Sequence, residues 1–172
     1  DYNLEQALMK THRVVYYKCD NELELLRSFV NHWSTPSNTP DIITGWNSRY
    51  FDIPYLINRI NKLMPGEEKK LSPWGMVDLD RKANTNSRQA ITLGGIEHLD
   101  YLEIFKKFSY QYGPQESYSL NHISYVVLGE RKLSYEEHGD LFSLYKFDYQ
   151  KFIDYNIKDV ELVERLEDKL GL

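Results

Sequence analysis

The sequence of 172 residues has little cysteine, no long apolar run and no excess of basic residues. Its single cysteine, Cys19, excludes an internal disulfide framework and agrees with a reducing compartment. No apolar stretch is long enough to cross a bilayer, and we find no signal-peptide pattern, so we expect a cytoplasmic protein. The formal net charge of −5 argues mildly against autonomous binding of duplex DNA, because avid duplex binders carry a basic patch.

The segment 149–170 predicts a long helix that carries an acid on its apolar side. At about 100° per residue, Asp159 falls in the same sector as Phe152 and Leu170. Tyr155 lies one turn before Asp159, so their side chains are neighbours. A buried carboxylate is costly without a cation or hydrogen-bond donors, so Asp159 is either a metal ligand or a structural acid. The apolar arc also contains Ile153, Ile157, Val160, Val163 and Leu166, and the opposite side carries Lys151, Asp154, Lys158, Glu161, Arg165 and Asp168.

A second acid, Asp52, precedes another predicted helix. IITGW (42–46) is typical of a buried strand, and apolar residues at helical spacing follow it from Ile53 to Leu63. Pro54 suits the first turn of that helix. Asp52 is therefore predicted at a helix N-terminus in surroundings that favour burial, with an N-cap as the alternative interpretation. Two acids far apart in sequence suggest a shared divalent-metal site.

Two spaced motifs carry a family resemblance. Asn47-x-x-x-Phe51-Asp52 and Tyr155-x-x-x-Asp159 resemble, in order, the second and third motifs of the family B DNA polymerase 3′–5′ exonucleases. Between them, SYSLNHISYVVLG (117–129), followed by Lys132, looks like the helix and basic residue of that family. The phrases PDIITGWN, FDIPY, LDYLEIFKKF and DYNIKDVE are most similar to the proofreading domain of T-even-type bacteriophage polymerases.

The resemblance implies hydrolysis of 3′-terminal nucleotides from DNA with two Mg²⁺ or Mn²⁺ ions. Asp52 and Asp159 would bind the metal, since magnesium prefers hard oxygen ligands, and Tyr155 would orient the attacking water. Asp52, Tyr155 and Asp159 are thus the predicted catalytic residues.

Three further residues are predicted to bind the substrate. By the same resemblance, Asn47 and Phe51 would hold the terminal nucleotide, and Lys132 would neutralise phosphate charge. The alternative for Lys132 is a solvated loop lysine beside Arg131.

The first motif of the family, an Asp-x-Glu pair on the opening strand, is not among these residues. Asp20-Asn21-Glu22 has the letters, but it precedes apolar residues at helical spacing, so we interpret it as a helix cap. We therefore expect residues 1–172 to form a single truncated exonuclease domain of a larger polymerase, with little or no activity alone.

The predicted fold class is α/β, and the resemblance implies a ribonuclease H-like fold with a mixed central sheet flanked by helices. RVVYYKC (13–19) is interpreted as a strand. Because the opening strand or strands of the sheet would be missing, this strand would have an exposed edge, which predicts self-association. Segments 76–82 and 88–97 predict a projecting β-hairpin, either an ordinary solvated one or one that touches DNA. The tip residues that would make this contact are Lys82, Asn84, Asn86 and Arg88.

The predicted partners are a single-stranded DNA 3′ end and the remainder of the polymerase chain, without a membrane. The five histidines are scattered without zinc-like spacing. Asp100 either caps or braces its own segment or stands near the metal site, and the resemblance favours the structural role. The alternative function is a non-catalytic ribonuclease H-like module that binds single-stranded DNA or a replication partner.

Overall fold

A computed structural model describes residues 1–7, 14–79 and 89–172. The chain forms two compact units. The central unit is Cys19–Lys107, and the terminal unit combines Asp1–Lys18 with Phe108–Leu172. That residues 1–172 make up one domain stays a prediction. No helix among the described residues is long and apolar enough to cross a membrane.

The central unit alternates helices and short strands. In chain order it contains α1 (Glu22–Trp33), β1 (Ile42–Gly45), α2 (Asp52–Leu63), β2 (Val77–Leu79), β3 (Ile91–Leu93), β4 (Glu97–Asp100) and α3 (Tyr101–Phe108), the last ending at the boundary of the unit. Its core packs the apolar sides of α1 and α2 against β3, with Val30 and Ile60 almost fully buried.

Helix α1 confirms the interpretation of the Asp20-Asn21-Glu22 segment. Asn21 is the N-cap, and its side chain accepts the backbone N–H of Glu24 at 3.0 Å. Glu22 and Glu24 lie in the first turn, where the helix dipole favours negative charge. This Asp-x-Glu triplet is therefore a helix start.

The strands pair in two ways. β1 runs parallel to β4, with Gly45 opposite Asp100, so the carboxyl ends of both strands meet. β2 and β3 are antiparallel, with Asp78 opposite Thr92, which confirms the predicted hairpin. The predicted tip residues of that hairpin lie outside the described part of the chain.

The terminal unit is helical where it has regular structure. It contains α4 (Leu120–Leu128), α5 (Leu141–Phe147) and α6 (Tyr149–Leu170), and α6 contacts both of the others. The first residues of the chain lie along α6, since the hydroxyl of Tyr2 donates to Asp154 Oδ1 at 2.7 Å. The backbone N–H of Asn3 donates to Gln150 at 2.7 Å.

Three expectations about local structure are wrong. Residues 14–19 form no strand, which removes the predicted sheet edge as the basis for self-association. β1 is a strand, but Ile42 is exposed because β4 is its one partner among the described residues. On α6, Asp154 is buried and Val160 is 73% exposed, the reverse of the predicted arc. The long-range bond to Tyr2 makes the burial of Asp154 tolerable.

The predicted α/β class is confirmed. Helices and strands alternate in the first part of the chain, and the described strands form two separate pairs, one parallel and one antiparallel, where a mixed central sheet was expected. This arrangement is consistent with the ribonuclease H-like exonuclease fold.

Candidate active site

Helix α6 places Tyr155 and Asp159 one turn apart on the same side. The side chain of Asp148 caps the helix by accepting the backbone N–H of Lys151 at 3.1 Å, so the start of α6 is fixed. Tyr155 is buried, and the Asp159 side chain is 26% exposed. The prediction that Asp159 faces inward is thus confirmed in part, because the carboxylate lies at the edge of the core.

Lys132 completes this group from the loop after α4. Its backbone N–H donates to the side chain of Asn121 at 3.0 Å, which anchors the loop. Its ammonium Nζ lies 2.6 Å from Asp159 Oδ2 and 3.4 Å from the Tyr155 hydroxyl. The alternative of a solvated loop lysine is therefore wrong, since Lys132 is half-buried and ion-paired.

Burial and charge set the protonation of the three groups. Burial raises the pKa of Asp159, although its hydrogen bond and ion pair with Lys132 oppose this. Burial lowers the pKa of Lys132, but the bond and charge of Asp159 outweigh it, so that pKa is raised. Burial and then the charge of Asp159 raise the pKa of Tyr155. At neutral pH Lys132 is therefore an ammonium and Tyr155 a protonated phenol, and the ion pair with Lys132 favours the ionised form of Asp159.

The second carboxylate oxygen of Asp159 is a hydrogen-bond acceptor without a partner. Oδ1 is buried and has no hydrogen-bond partner among the described residues. A hard carboxylate oxygen in this state fits a divalent cation. Within residues 1–7, 14–79 and 89–172, no three acidic, histidine or cysteine side chains cluster as a metal site. Asp159 is therefore suited as one ligand, and a metal ion needs carboxylates beyond this group.

Asp52 is the first residue of α2, and it is exposed. The expectation of burial is wrong because the apolar side of the helix begins only at Ile53 and Pro54. The N-cap alternative is also wrong, since the cap position belongs to Phe51, whose side chain makes no capping hydrogen bond. The carboxylate is instead presented at the helix N-terminus.

Asp100 fixes the loop that leads to Asp52. Only 2% exposed, it accepts the backbone N–H groups of Asn47 at 3.0 Å and Arg49 at 2.9 Å. It also accepts the backbone N–H of Leu102 at 3.0 Å, which braces the start of α3. The bracing role predicted for Asp100 is confirmed, but its hold on the Asn47 loop was not predicted. The parallel pairing of Gly45 with Asp100 creates this contact.

A second contact holds the same loop. The hydroxyl of Ser48 lies 2.8 Å from Nε2 of His98 on β4, and the Ser48 carbonyl accepts the N–H of Ile53 at 3.0 Å. A Cβ on Gly45 would come within 2.8 Å of the Ser48 Cβ, so this close approach requires glycine. Asn47 has a left-handed backbone, with φ of 65°, which asparagine tolerates better than most residues.

Phe51 projects from this fixed loop. It is 65% exposed, and its ring lies nearly parallel to that of Tyr55, with centroids 6.5 Å apart and an interplanar angle of 10°. The sequence pattern drew attention to Phe51 but not to Tyr55. A polar residue would be the usual choice at the exposed position that Tyr55 occupies, and this was the signal that could have identified it.

The six predicted site residues thus form two groups. The terminal unit brings together Lys132, Tyr155 and Asp159. The central unit presents the second group on one loop and helix start, which consists of Asn47, Phe51 and Asp52. That Asp52 and Asp159 bind the same cations stays a prediction.

Comparison with known proteins identifies the class. The family described as "DNA polymerase family B, exonuclease domain" matches residues 3–123. The chain is 42% identical over 160 residues to the DNA-directed DNA polymerase of Escherichia phage RB69, covering 91% of this chain and 17% of the relative. It is 36% identical over 158 residues to the DNA-directed DNA polymerase of Enterobacteria phage T4, covering 90% of this chain and 17% of the relative. The chain is 32% identical over 123 residues to the DNA polymerase delta catalytic subunit of Bos taurus, covering 66% of this chain and 10% of the relative.

The class is therefore that of exonuclease domains of DNA polymerases. The chain belongs to the exonuclease domain family of family B DNA polymerases. It spans about 17% of the length of the phage polymerases that it matches. The predicted resemblance to T-even-type polymerases is confirmed.

Proposed function

We propose that this chain is the proofreading 3′–5′ exonuclease domain of a phage-type DNA-directed DNA polymerase. Its substrate is a single-stranded DNA 3′ end, and it removes the terminal nucleotide by hydrolysis with Mg²⁺ or Mn²⁺. Its further partner is the remainder of the polymerase chain, which supplies the main grip on DNA. It works in the cytoplasm, that of an infected bacterial host if a phage encodes it.

The observation that carries this proposal is the group of Lys132, Tyr155 and Asp159. The Lys132 ammonium lies within hydrogen-bonding distance of both the Tyr155 phenol and the Asp159 carboxylate, whose other oxygen is buried without a described partner. A structural ion pair alone does not need the open oxygen, which is costly when it is left without a partner. Metal-assisted hydrolysis of a phosphodiester uses groups of these kinds, namely a cation ligand, a water-orienting hydroxyl and a positive charge for phosphate, together with further carboxylate ligands.

The roles of the residues follow from their chemistry. Divalent ions would be held by Asp159 and Asp52, and when bound they supply an activated water and stabilise the leaving 3′ oxygen. The Tyr155 hydroxyl stays protonated at neutral pH and orients that water. Lys132 has three N–H donors and can keep its bond to Asp159 while it donates to a phosphate oxygen.

Substrate positioning is assigned to the central unit. The amide of Asn47 and the exposed ring of Phe51 hold the terminal nucleotide, Phe51 by stacking on a sugar or base. The contacts of Asp100 fix the backbone of the loop that carries both side chains before DNA arrives. The loop then loses less conformational entropy when DNA binds.

A chimaera with a phage relative tests the proposal. The chain replaces the matching segment of the RB69 polymerase, and degradation of a 3′-labelled single strand is measured with magnesium. We expect degradation that is lost in Asp159→Ala and in Asp52→Ala. The control is Asp168→Ala, an exposed acid on the same helix as Asp159, which should keep activity. Retained polymerase activity shows that each chimaera is folded.

The outcomes separate the two candidate functions. The ion pair of Lys132 with Asp159 also fits the alternative, a non-catalytic module that binds single-stranded DNA or a replication partner. That alternative predicts a folded chimaera without exonuclease activity. The chain alone is expected to show little or no degradation, and strong activity that disappears in Asp52→Ala would contradict this expectation.

A further inference from the structure

Two large aromatic rings lie exposed at the start of α2. Phe51 is 65% and Tyr55 is 62% exposed, and their planes differ by only 10°. The rings are one helical turn apart, and the backbone N–H of Tyr55 donates to the carbonyl of Phe51 at 3.0 Å. Both ring faces therefore point in nearly the same direction on a rigid piece of backbone.

The backbone below the rings is held before any ligand binds. The N–H of Phe51 donates to the carbonyl of Asn47 at 3.1 Å, and Asp100 accepts the N–H of Asn47 itself. Ile53 and Ile57 anchor the helix in the core. A ligand that stacks on these rings would not have to order the surface first, which favours binding.

Polar residues continue from the rings along one side of this helix. Tyr55, Asn58 and Lys62 follow at helical spacing and are all exposed. Beside them, Arg59 is ion-paired with Glu22 on α1. The surface thus offers two rings at one end and amide and ammonium donors toward the other. A stable protein interface needs about 800 Å² from each partner with an apolar centre, and two rings in polar surroundings do not supply that.

We propose that Tyr55 is a second stacking residue, which holds the unpaired base next to the terminal one while Asn58 and Lys62 contact the strand's backbone. This rests on the proposed function and extends it, because it gives the single strand a direction along α2. The ligand that this surface would recognise is the face of a nucleobase joined to a phosphate. Stacking of this kind tolerates every base, since all bases have a π-face.

Fluorescence of 2-aminopurine in short oligonucleotides tests the stacking directly. The protein is titrated with strands that carry the probe at the terminal or the penultimate position, in EDTA so that no hydrolysis occurs. The titrated protein is the chimaera with the RB69 polymerase, because the remainder of the polymerase is proposed to supply the main grip on DNA. We expect quenching at both positions when the chimaera carries the wild-type chain. Tyr55→Leu should weaken binding about five-fold or more and remove quenching at the penultimate position only. Tyr55→Trp should restore both, because it keeps an aromatic face.

The matched control is Tyr110→Leu, at a tyrosine that is 81% exposed and lies in the terminal unit. This variant should bind like the wild type, and an abasic site in the penultimate position should abolish the difference between wild type and Tyr55→Leu. No quenching in the wild type, or equal quenching in Tyr55→Leu, would overturn the proposal.

Failure of this inference is distinguishable from failure of the proposed function. If Tyr55→Leu binds normally while the chimaera still loses degradation in Asp159→Ala, only the stacking role is wrong. If Tyr55 controls quenching but the chimaera never degrades DNA, the stacking surface stands and the nuclease proposal falls.

Discussion

The ammonium nitrogen of Lys132 lies 2.6 Å from Oδ2 of Asp159, while Oδ1 of the same carboxylate is buried without a described partner. The pair therefore uses one oxygen and leaves the other open. Among the described residues, Lys132 is the cation that compensates the charge of Asp159. The stability of this part of the fold should depend on the lysine.

Lys132→Met should destabilise the chain by about 1–3 kcal/mol, because the half-buried carboxylate loses its charged partner. Urea denaturation measures this, with Lys69→Met at an exposed lysine as the control. Adding Asp159→Leu to Lys132→Met should recover part of the loss, since no charge is then left without a partner. Equal stabilities of Lys132→Met and the control would show that the ion pair contributes nothing.

The left-handed backbone of Asn47 separates its structural role from its proposed contact with the nucleotide. Asn47→Ala should cost about 1–2 kcal/mol, because its Cβ disfavours this conformation. Asn47→Gly should cost less, since glycine adopts it freely. In the chimaera, Asn47→Gly should still raise the KM for single-stranded DNA. An unchanged KM in this folded variant would argue against a substrate contact by the amide.

The buried carboxylate of Asp100 should be the most sensitive position of the loop. Asp100→Asn replaces one acceptor oxygen by an NH₂ group that faces backbone N–H groups, so at least one hydrogen bond is lost. We expect a cost of at least about 2 kcal/mol, because each bond to a charged acceptor is worth about 1.5–3 kcal/mol. Thermal unfolding followed by circular dichroism measures it, and Asp168→Asn at an exposed acid provides the comparison. A difference within 0 to about 0.5 kcal/mol, the usual range for surface changes, would contradict the bracing role.

Local sequence patterns were sufficient to predict where α1 and α2 begin and that a hairpin follows α2. Asn21 before helical spacing predicted the start of α1, and Pro54 predicted the first turn of α2. These features depend on neighbours within one or two turns, which the sequence displays directly. The proximity of Tyr155 to Asp159 was predictable for the same reason.

Contacts between distant residues were not predictable in this way. Helical periodicity placed Asp154 on the polar side, but its burial depends on Tyr2, 152 positions away. The partner of Lys132 is likewise 27 positions along the chain. Asp52 follows the rule for a helix start, but periodicity could not tell whether neighbouring elements cover it. Residues 14–19 have strand composition, and composition alone does not supply a partner strand.

Two buried serines should respond in opposite ways to loss of the hydroxyl. Ser124 Oγ is buried on α4 without a described partner, so Ser124→Ala should be neutral or stabilise the chain by up to about 1 kcal/mol. Ser48→Ala should destabilise it, because His98 loses its partner. Chemical denaturation of both variants checks the contrast. Destabilisation by Ser124→Ala equal to that of Ser48→Ala would imply that the Ser124 hydroxyl has an energetic role.

His98 should make the stability of the chain depend on pH. Burial lowers the pKa of His98 below its usual 6.5, although the charge of Asp100 opposes the shift. The unfolded chain then binds a proton more readily than the folded one, so the contribution of neutral His98 is complete above about pH 6.5 and is lost as the pH falls through the folded pKa.

Urea denaturation of the wild type and of His98→Gln between pH 5 and pH 8 isolates this contribution. The difference in unfolding free energy between the two should be largest at pH 8 and should shrink toward pH 5, because only the wild type must bury an imidazole that water would protonate. The contributions of other titrating groups cancel in the difference. A constant difference across this range would mean that His98 has the same pKa in the folded and unfolded chains, and that its contact with Ser48 does not depend on the neutral ring.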